Sequence, residues 1–415
     1  MLQACPIGGG AGPGDDSAAE VTLAEVFRQH GEAFLDGAGL PPHHVKAMSA
    51  IMRCRTPALG GRIEQCDQCG RLVFLWNSCN DRHCPTCGAL KRARWLEKQK
   101  AQLLHVPYFH LVFTLDHALN LLAAFNQETV YNLLFAAASE TLKEFAGRKG
   151  GQPGITAMLH TWDQQLNRHI HLHCLVPAGM LSVDRTRWIP ISATFLFPVK
   201  ALSIVFRAKF LDGLADAHAR GQLALPEALA PGRAPEQAFR SLLRRLRRKP
   251  WVVYCQKPLG GPDAVLHYLA RYTYGAAISN KRILSIDDGQ VTFQYKDRRD
   301  NDAVKTCSLP ADHFVRRFLL HILPPGFQRI RHFGLFASRY KAENLARCCK
   351  LLDYVPAPPP LLKSAHDLML DIALKDIDAC PFCRQGRLTT VAIVPRFAPA
   401  PHRTCPPGTE AFDTS

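Results

Sequence analysis

No run of about 18 apolar residues occurs in this sequence, nor any long amphipathic basic helix, so neither a membrane-spanning nor a membrane-surface protein is expected. The N-terminus, Met1-Leu2-Gln3-Ala4-Cys5-Pro6, lacks the charged region and apolar stretch of a secretory leader, and an unexported protein is expected. Acidic residues are in short supply. Asp and Glu number 35 against 51 Lys and Arg, giving a formal charge of +16 and a pI near 9.3. Such an excess predicts a polyanionic partner, most simply nucleic acid. Internal repeats are absent too. Cysteine, by contrast, is plentiful. Fifteen in an unexported chain of 415 residues read as metal thiolates and reduced thiols rather than disulfides. A hydrophobic content of 47% is enough to give two or three domains real cores.

The stretch with most chemistry in it is His169-Ile170-His171-Leu172-His173-Cys174-Leu175-Val176. Alternation puts His169, His171 and His173 on one face of an extended segment and Ile170, Leu172 and Cys174 on the other. One face can bury while the other offers imidazoles at the spacing a divalent metal requires. Ile155–Trp162 reads as the neighbouring antiparallel strand, across a polar turn. That pairing makes Asp163 or Gln164 the candidate third, oxygen-bearing ligand.

A nucleophile candidate follows about a hundred residues later, in Val265-Leu266-His267-Tyr268-Leu269-Ala270-Arg271-Tyr272-Thr273-Tyr274. Read as a helix, this places Tyr268 and Tyr272 four apart on one face. Arg271, Lys281 and Arg282 are candidates for holding phosphate or lowering a phenol's pKa. A metal on a histidine strand beside a tyrosine helix is what strand transfer through a phosphotyrosine needs.

Cys66-Asp67-Gln68-Cys69 and Cys84-Pro85-Thr86-Cys87 form two CxxC knuckles. Together they read as one closed, structural four-cysteine zinc site, with Cys79, His83 and the remote Cys54 as substitutes. A further Cys380-Pro381-Phe382-Cys383 reads as half a site, with Cys348, Cys349, His402 or Cys405 as possible complements. Two basic segments are candidate DNA contacts: Lys91–Lys100, with Arg92 and Arg94, and Arg240–Lys249, with Arg244, Arg245, Arg247 and Arg248. Helices are expected at 21–35, 41–52, 126–146, 199–217 and 314–323, a buried strand at 106–116, and a hairpin over Asp288-Gly289.

Taken in order, these motifs resemble the two-tyrosine HUH transposases of the insertion sequence 91 family, from about Cys54 to Cys383. Besides the knuckles, His171-Leu172-His173 and Tyr268-Leu269-Ala270-Arg271-Tyr272, the likeness is carried by Phe113-Thr114-Leu115, His160-Thr161-Trp162 and Ala277-Ile278-Ser279-Asn280. Tyr295-Lys296-Asp297 and Arg329-Ile330-Arg331-His332-Phe333-Gly334 complete it. Asp163 departs from an expected glycine and Ile170 from an expected proline.

The resemblance implies an α+β fold: an HUH endonuclease core, an antiparallel sheet flanked by helices, after a small zinc-binding domain that helps recognise element ends. Its expected organisation is a disordered 1–20, a helical and four-cysteine zinc-binding domain at 21–104, the tyrosine transposase domain at 105–345, a linker at 346–379, and the last CxxC with a disordered tail at 380–415. Its expected chemistry is rolling-circle transposition by nicking and rejoining single-stranded DNA. In that scheme Tyr268 and Tyr272 are nucleophiles, and His171 and His173 hold Mg²⁺ or Mn²⁺. The partners are element ends and target DNA, in the cytoplasm or on the nucleoid. With no helicase P-loop in the sequence, strand separation falls to host replication and helicase factors. A replication initiator or relaxase, and a non-catalytic zinc-dependent regulator, are the alternatives.

Overall fold

The computed structural model describes residues 21–397 apart from 38, 101, 193–195, 230, 233, 260, 262–263, 267–275, 356–362, 365, 369 and 371–375. It opens with helices α1 (Leu23–Gly37) and α2 (Pro42–Met52), a hairpin of β1 (Gly61–Cys66) and β2 (Leu72–Trp76), and α3 (Ala89–Lys100). Then come β3 (Tyr108–Thr114), α4 (Asn120–Phe125), α5 (Gln127–Gly147), β4 (Gly151–Trp162), β5 (Arg168–Pro177), β6 (Gly179–Ser182) and β7 (Trp188–Pro190). Helices α6 (Val199–Ala219) and α7 (Pro235–Arg248) lead to β8 (Val253–Leu259). A meander of β9 (Ile283–Asp287), β10 (Gln290–Asp297) and β11 (Ala303–Pro310) precedes α8 (Ala311–Leu319). The last elements are β12 (Ile330–Gly334), α9 (Lys341–Leu351) and β13 (Leu388–Val394).

The α+β reading holds. Strands run in the order β7-β6-β4-β5-β3-β8, every neighbour antiparallel, with β12 also paired to β4. The histidine strand β5 is thus central, between β4 and β3. Period-two alternation decides what each face meets. Phe109, Leu111 and Phe113 of β3, Ile155, Ala157 and Leu159 of β4, and Ile170, Leu172, Cys174 and Val176 of β5 all enter one core with α5, α6 and α7. Phe113 meets Phe206 of α6 edge-on at 5.0 Å. Burying a side chain of this size contributes about 1.5–3 kcal/mol, so the register of β5 is fixed by its apolar half. Its histidines are carried along on the other face.

That other face is divided along its length. At one end Tyr108, Met158 and Leu175 pack with Leu335, Cys348 and Val265. At the other end the histidines replace them.

The hairpin expected over Asp288-Gly289 forms, with φ of 48° and 71° at its two turn residues and Asp287 paired to Gln290. These positive angles match the right-handed twist of the flanking strands. Strands β11 and β12 go beyond the sequence expectation, in which 329–335 is only basic and aromatic. α8 starts and ends earlier than the expected 314–323. α9 runs into the segment expected as linker, and β13 occupies part of the expected tail.

Helices α1 and α2 share a core with Cys54, Cys84, the β9–β11 meander and α8, where Phe27 and Phe318 meet edge-on at 5.4 Å. Among the described residues, no helix is long and apolar enough to cross a membrane.

Candidate metal centre and cysteine clusters

Register brings the histidines together. His160 of β4 lies directly across from His171 of β5, and Met158 from His173. Because His160 and His171 face the same way and His173 is two residues along, three imidazoles crowd one patch. One ring nitrogen from each of His160, His171 and His173 falls within 4.8 Å of the others.

The nitrogens are oriented by their neighbours. His171 Nδ1 donates to the His169 carbonyl at 2.8 Å, which leaves Nε2 as the lone-pair nitrogen. His173 Nδ1 is 2.9 Å from His110 Nε2, and His110 Nδ1 is 3.2 Å from the Gln256 amide oxygen. Since that oxygen only accepts, His110 donates to it from Nδ1, accepts at Nε2, and receives the His173 Nδ1 proton. His173 therefore also keeps its buried Nε2 as the lone-pair nitrogen. A chain of this kind fixes tautomer and ring angle in metal-binding histidines.

Burial removes charge from the cluster. It pushes His171 down to about 3, with the neighbouring His169 and the Arg298 guanidinium acting in the same direction. His173 is held far below its ordinary value by burial, then by His160, His171 and His110. Three crowded imidazoles cannot be jointly protonated but can share one cation, so the donor set fits a divalent metal. We expect His110→Ala to weaken Mn²⁺ binding about 10- to 100-fold, as read by calorimetric titration. Unchanged affinity would reduce the His110 contact to packing.

The expected oxygen ligands are elsewhere. Asp163 Oδ1 accepts from the backbone N–H groups of Gln165 and Asn167, both at 2.8 Å, and Oδ2 accepts from the Asn167 amide at 2.9 Å. Its carboxylate thus closes the β4–β5 turn. Gln164 is exposed on that turn, with its carbonyl bonded to Arg282. The imidazole that joins His171 and His173 is instead His160, since the strand ends at Trp162 and Asp163 and Gln164 fall on the turn beyond it.

Arg282, expected on phosphate, instead bonds the carbonyls of Gln164 and Gln294 and is largely buried, which lowers its pKa. Lys281 is exposed. Trp162 stacks on His160 at 5.0 Å and carries the Arg329 guanidinium at 4.8 Å. Half-buried Arg329 also donates to the Leu159 carbonyl, and desolvation drops its pKa to about 10. The indole is a prop for His160. Tyr268, Arg271, Tyr272 and Tyr274 lie outside the described residues. The chain before them is anchored by Val265, buried in one cluster with Met158, and the chain after them by Ala276 and Ala277, which line a cavity with Trp162 and Arg329.

The expected single four-cysteine site is corrected. Cys84 and Cys87 gather with Cys79 and Cys54, whereas Cys66 and Cys69 gather with Cys380 and Cys383. The fourteen residues between the two CxxC pairs contain all of β2, which carries the second pair away from the first. Cys54 and Cys79, expected only as substitutes, are members of a complete cluster. His83 is not, since its Nδ1 faces Asp81 at 3.0 Å and its Nε2 accepts from Leu323 at 3.3 Å. Beside that cluster Arg82 donates to the carbonyls of Phe327 and Pro324 at 2.6 and 2.9 Å, tying the knuckle to the loop before β12. Cys348 and Cys349 lie on the buried face of α9 among apolar residues. His402 and Cys405 lie outside the described residues.

Of the basic segments, α7 is sharply two-sided. Ala238, Phe239, Leu242 and Leu246 are buried, while Arg240, Arg244, Arg245, Arg247 and Arg248 are exposed. Arg247 pairs with Asp212 at 3.1 Å. On α3, Arg94 is exposed and Arg92 half-buried.

Comparison with known proteins places the chain among transposases. Residues 26–115 match a family described as a transposase zinc-binding domain of the IS91 type, and residues 154–344 match one described as a putative transposase. A protein of Sinorhizobium fredii named putative transposase y4qJ is 44% identical over 378 residues, spanning 89% of this chain and 95% of its own. The transposase for insertion sequence element IS801 of Pseudomonas savastanoi is 29% identical over 365 residues, 86% of each chain. No solved structure matches. The chain is a transposase with an N-terminal zinc-binding domain. The chain belongs to the IS91-type family of these proteins.

Proposed function

We propose that this transposase cuts and rejoins single-stranded DNA through a 5′-phosphotyrosine at the histidine patch, moving an element by a rolling-circle route. The observation that carries this reading is the convergence of His160, His171 and His173, with the Nδ1 atoms of His171 and His173 engaged by their partners so that each Nε2 keeps its lone pair. A divalent cation held there, Mg²⁺ or the softer-ligand-tolerant Mn²⁺, would draw charge off the scissile phosphate.

The phenolate oxygen of Tyr272 or Tyr268 attacks phosphorus, and the bond to the 3′ oxygen breaks. The departing oxygen takes a proton, leaving a 3′-OH and a tyrosine ester. Attack by another 3′-OH reverses the step, so rejoining needs no ATP. The second tyrosine takes the next strand. Residues of the chain also steer the substrate. The end of α7 is fixed near the patch, for Lys249 pairs with Asp116 at 3.2 Å and the Val252 carbonyl accepts from Thr114, the residue across from His171. Its exposed arginines offer the DNA backbone a track toward the site.

The test is incubation with labelled single-stranded oligonucleotides carrying element ends, with and without Mn²⁺. Covalent adduct and joined ends are expected with metal only. Joining of two ends separates a transposase from an initiator that nicks at one origin, and nicking in excess chelator would refute the reading. A second expectation concerns α7. Arg244→Ala/Arg245→Ala/Arg248→Ala should weaken single-strand binding and flatten the log K against log salt slope by about 2, at about 0.7 per lost phosphate contact. Fluorescence anisotropy across a salt series reads this directly, and an unchanged slope would remove α7 from the DNA path.

A further inference from the structure

We propose that Cys66, Cys69, Cys380 and Cys383 hold a second zinc ion, one that clasps the C-terminal segment onto the N-terminal module and is required for β13 to fold. Half of this site lies outside both family matches, which end at residues 115 and 344.

The two halves are built alike. In the first, the Gly70 N–H bonds the Cys66 carbonyl at 3.0 Å, with Gly70 at φ 67°. In the second, the Arg384 N–H bonds the Cys380 carbonyl at 3.0 Å, with Arg384 at φ 59°. The Cys66 N–H reaches the Arg71 carbonyl at 3.0 Å and the Cys380 N–H reaches the Gly386 carbonyl at 2.9 Å. Each knuckle aims a backbone N–H at one of its sulfurs, from Cys69 to Cys66 at 3.5 Å and from Gly386 to Cys383 at 3.4 Å. Such N–H···S bonds favour thiolate.

The sulfur spacing has the dimensions of a metal centre. A tetrahedron with Zn–S bonds of about 2.3 Å has edges of about 3.8 Å. Cys66 to Cys383 and Cys69 to Cys380 are both 3.7 Å, and all four sulfurs lie within 4.8 Å of one another. Around them the halves are stitched by the Asp67 N–H to the Arg387 carbonyl at 3.0 Å and the Arg387 N–H to Asp67 Oδ1 at 2.8 Å. A side chain on Gly386 would run into Cys66 Sγ.

Little else holds the C-terminal strand. β13 pairs with β1 along its length, yet none of its residues is buried, and Ile393 is 73% exposed. With almost no apolar surface removed from water, hydrogen bonds to β1 alone do not fix a strand that has more than 300 residues of chain between it and its partner. The metal supplies the anchor, and the transposase domain is thereby held at both ends by one module.

The test is made on the full-length chain in a His171→Ala/His173→Ala background, so that zinc at the histidine patch is not counted. Plasma mass spectrometry should find two zinc ions per chain, falling to one in Cys380→Ser/Cys383→Ser. Because misfolding alone can release zinc, the parent chain is also titrated with chelator and alkylated. Cys66, Cys69, Cys380 and Cys383 should become reactive together, as a group separate from Cys54, Cys79, Cys84 and Cys87. Amide exchange across Leu388–Val394 should rise at least tenfold at that same step. One zinc per parent chain, or alkylation of Cys380 and Cys383 at full zinc loading, would overturn the proposal. The cleavage chemistry plays no part in either outcome.

Discussion

Replacing His160 with alanine should cost the protein its divalent metal and its DNA cleavage as fully as His171→Ala does. The expectation follows from register, since His160 faces His171 across the β4–β5 pair and sits 4.5 Å from the His173 ring, centroid to centroid. Removing one of three imidazoles leaves a two-point site in which a cation keeps more of its water and polarises phosphate less. Metal assistance contributes several kcal/mol, and a loss of about 4 kcal/mol corresponds to about a thousandfold in rate. DNA binding should change little, because phosphate contacts by basic residues dominate it.

The contrast lies in the two residues first expected as ligands. Gln164→Ala should leave cleavage near that of the parent, its side chain being exposed on the turn. Asp163→Ala should instead lower stability by about 1 kcal/mol through loss of its turn hydrogen bonds. Manganese titration and oligonucleotide nicking on the three variants decide the matter. Equal losses in Gln164→Ala and His160→Ala would restore an oxygen ligand.

A Tyr268→Phe/Tyr272→Phe protein should form no covalent DNA adduct at all. The sequence spacing of four, read as helical, predicts that the two phenols share a face and can reach one phosphate in turn. Each single variant should keep some cleavage of a simple oligonucleotide, whereas transposition, which needs two linked transfers, should be lost in both. Tyr272 is expected to attack first, with Arg271 adjoining it in sequence. Digestion of the adduct and mass spectrometry of the modified peptide give the answer. A label on Tyr274, or an adduct surviving in the double variant, would mean that the nucleophile is another residue.

Some of this protein is decided locally and is therefore open to reading. Alternation in His169–Val176 has only one way to bury Ile170, Leu172 and Cys174, so His171 and His173 had to share the opposite face. Asp288-Gly289 specifies a two-residue hairpin through backbone angles that few residues adopt. The basic excess and the paired arginines of α7 follow from composition and a 3.6-residue period.

Other features depend on which distant segments meet. His160 enters the histidine patch through the pairing register of β4 with β5, and His110 and Gln256 orient His173 from β3 and β8. A histidine in a neighbouring strand has no periodic mark that sets it apart as a ligand. The cysteines make the same point more sharply. Any four thiolates at suitable spacing can satisfy a tetrahedral ion, so sequence supplied the ligands without their partition. The grouping was decided when β13 paired with β1 and the last CxxC met the first, while Cys54 and Cys79 closed around Cys84 and Cys87. A local pattern determines which way a side chain faces; only the tertiary fold determines what it faces.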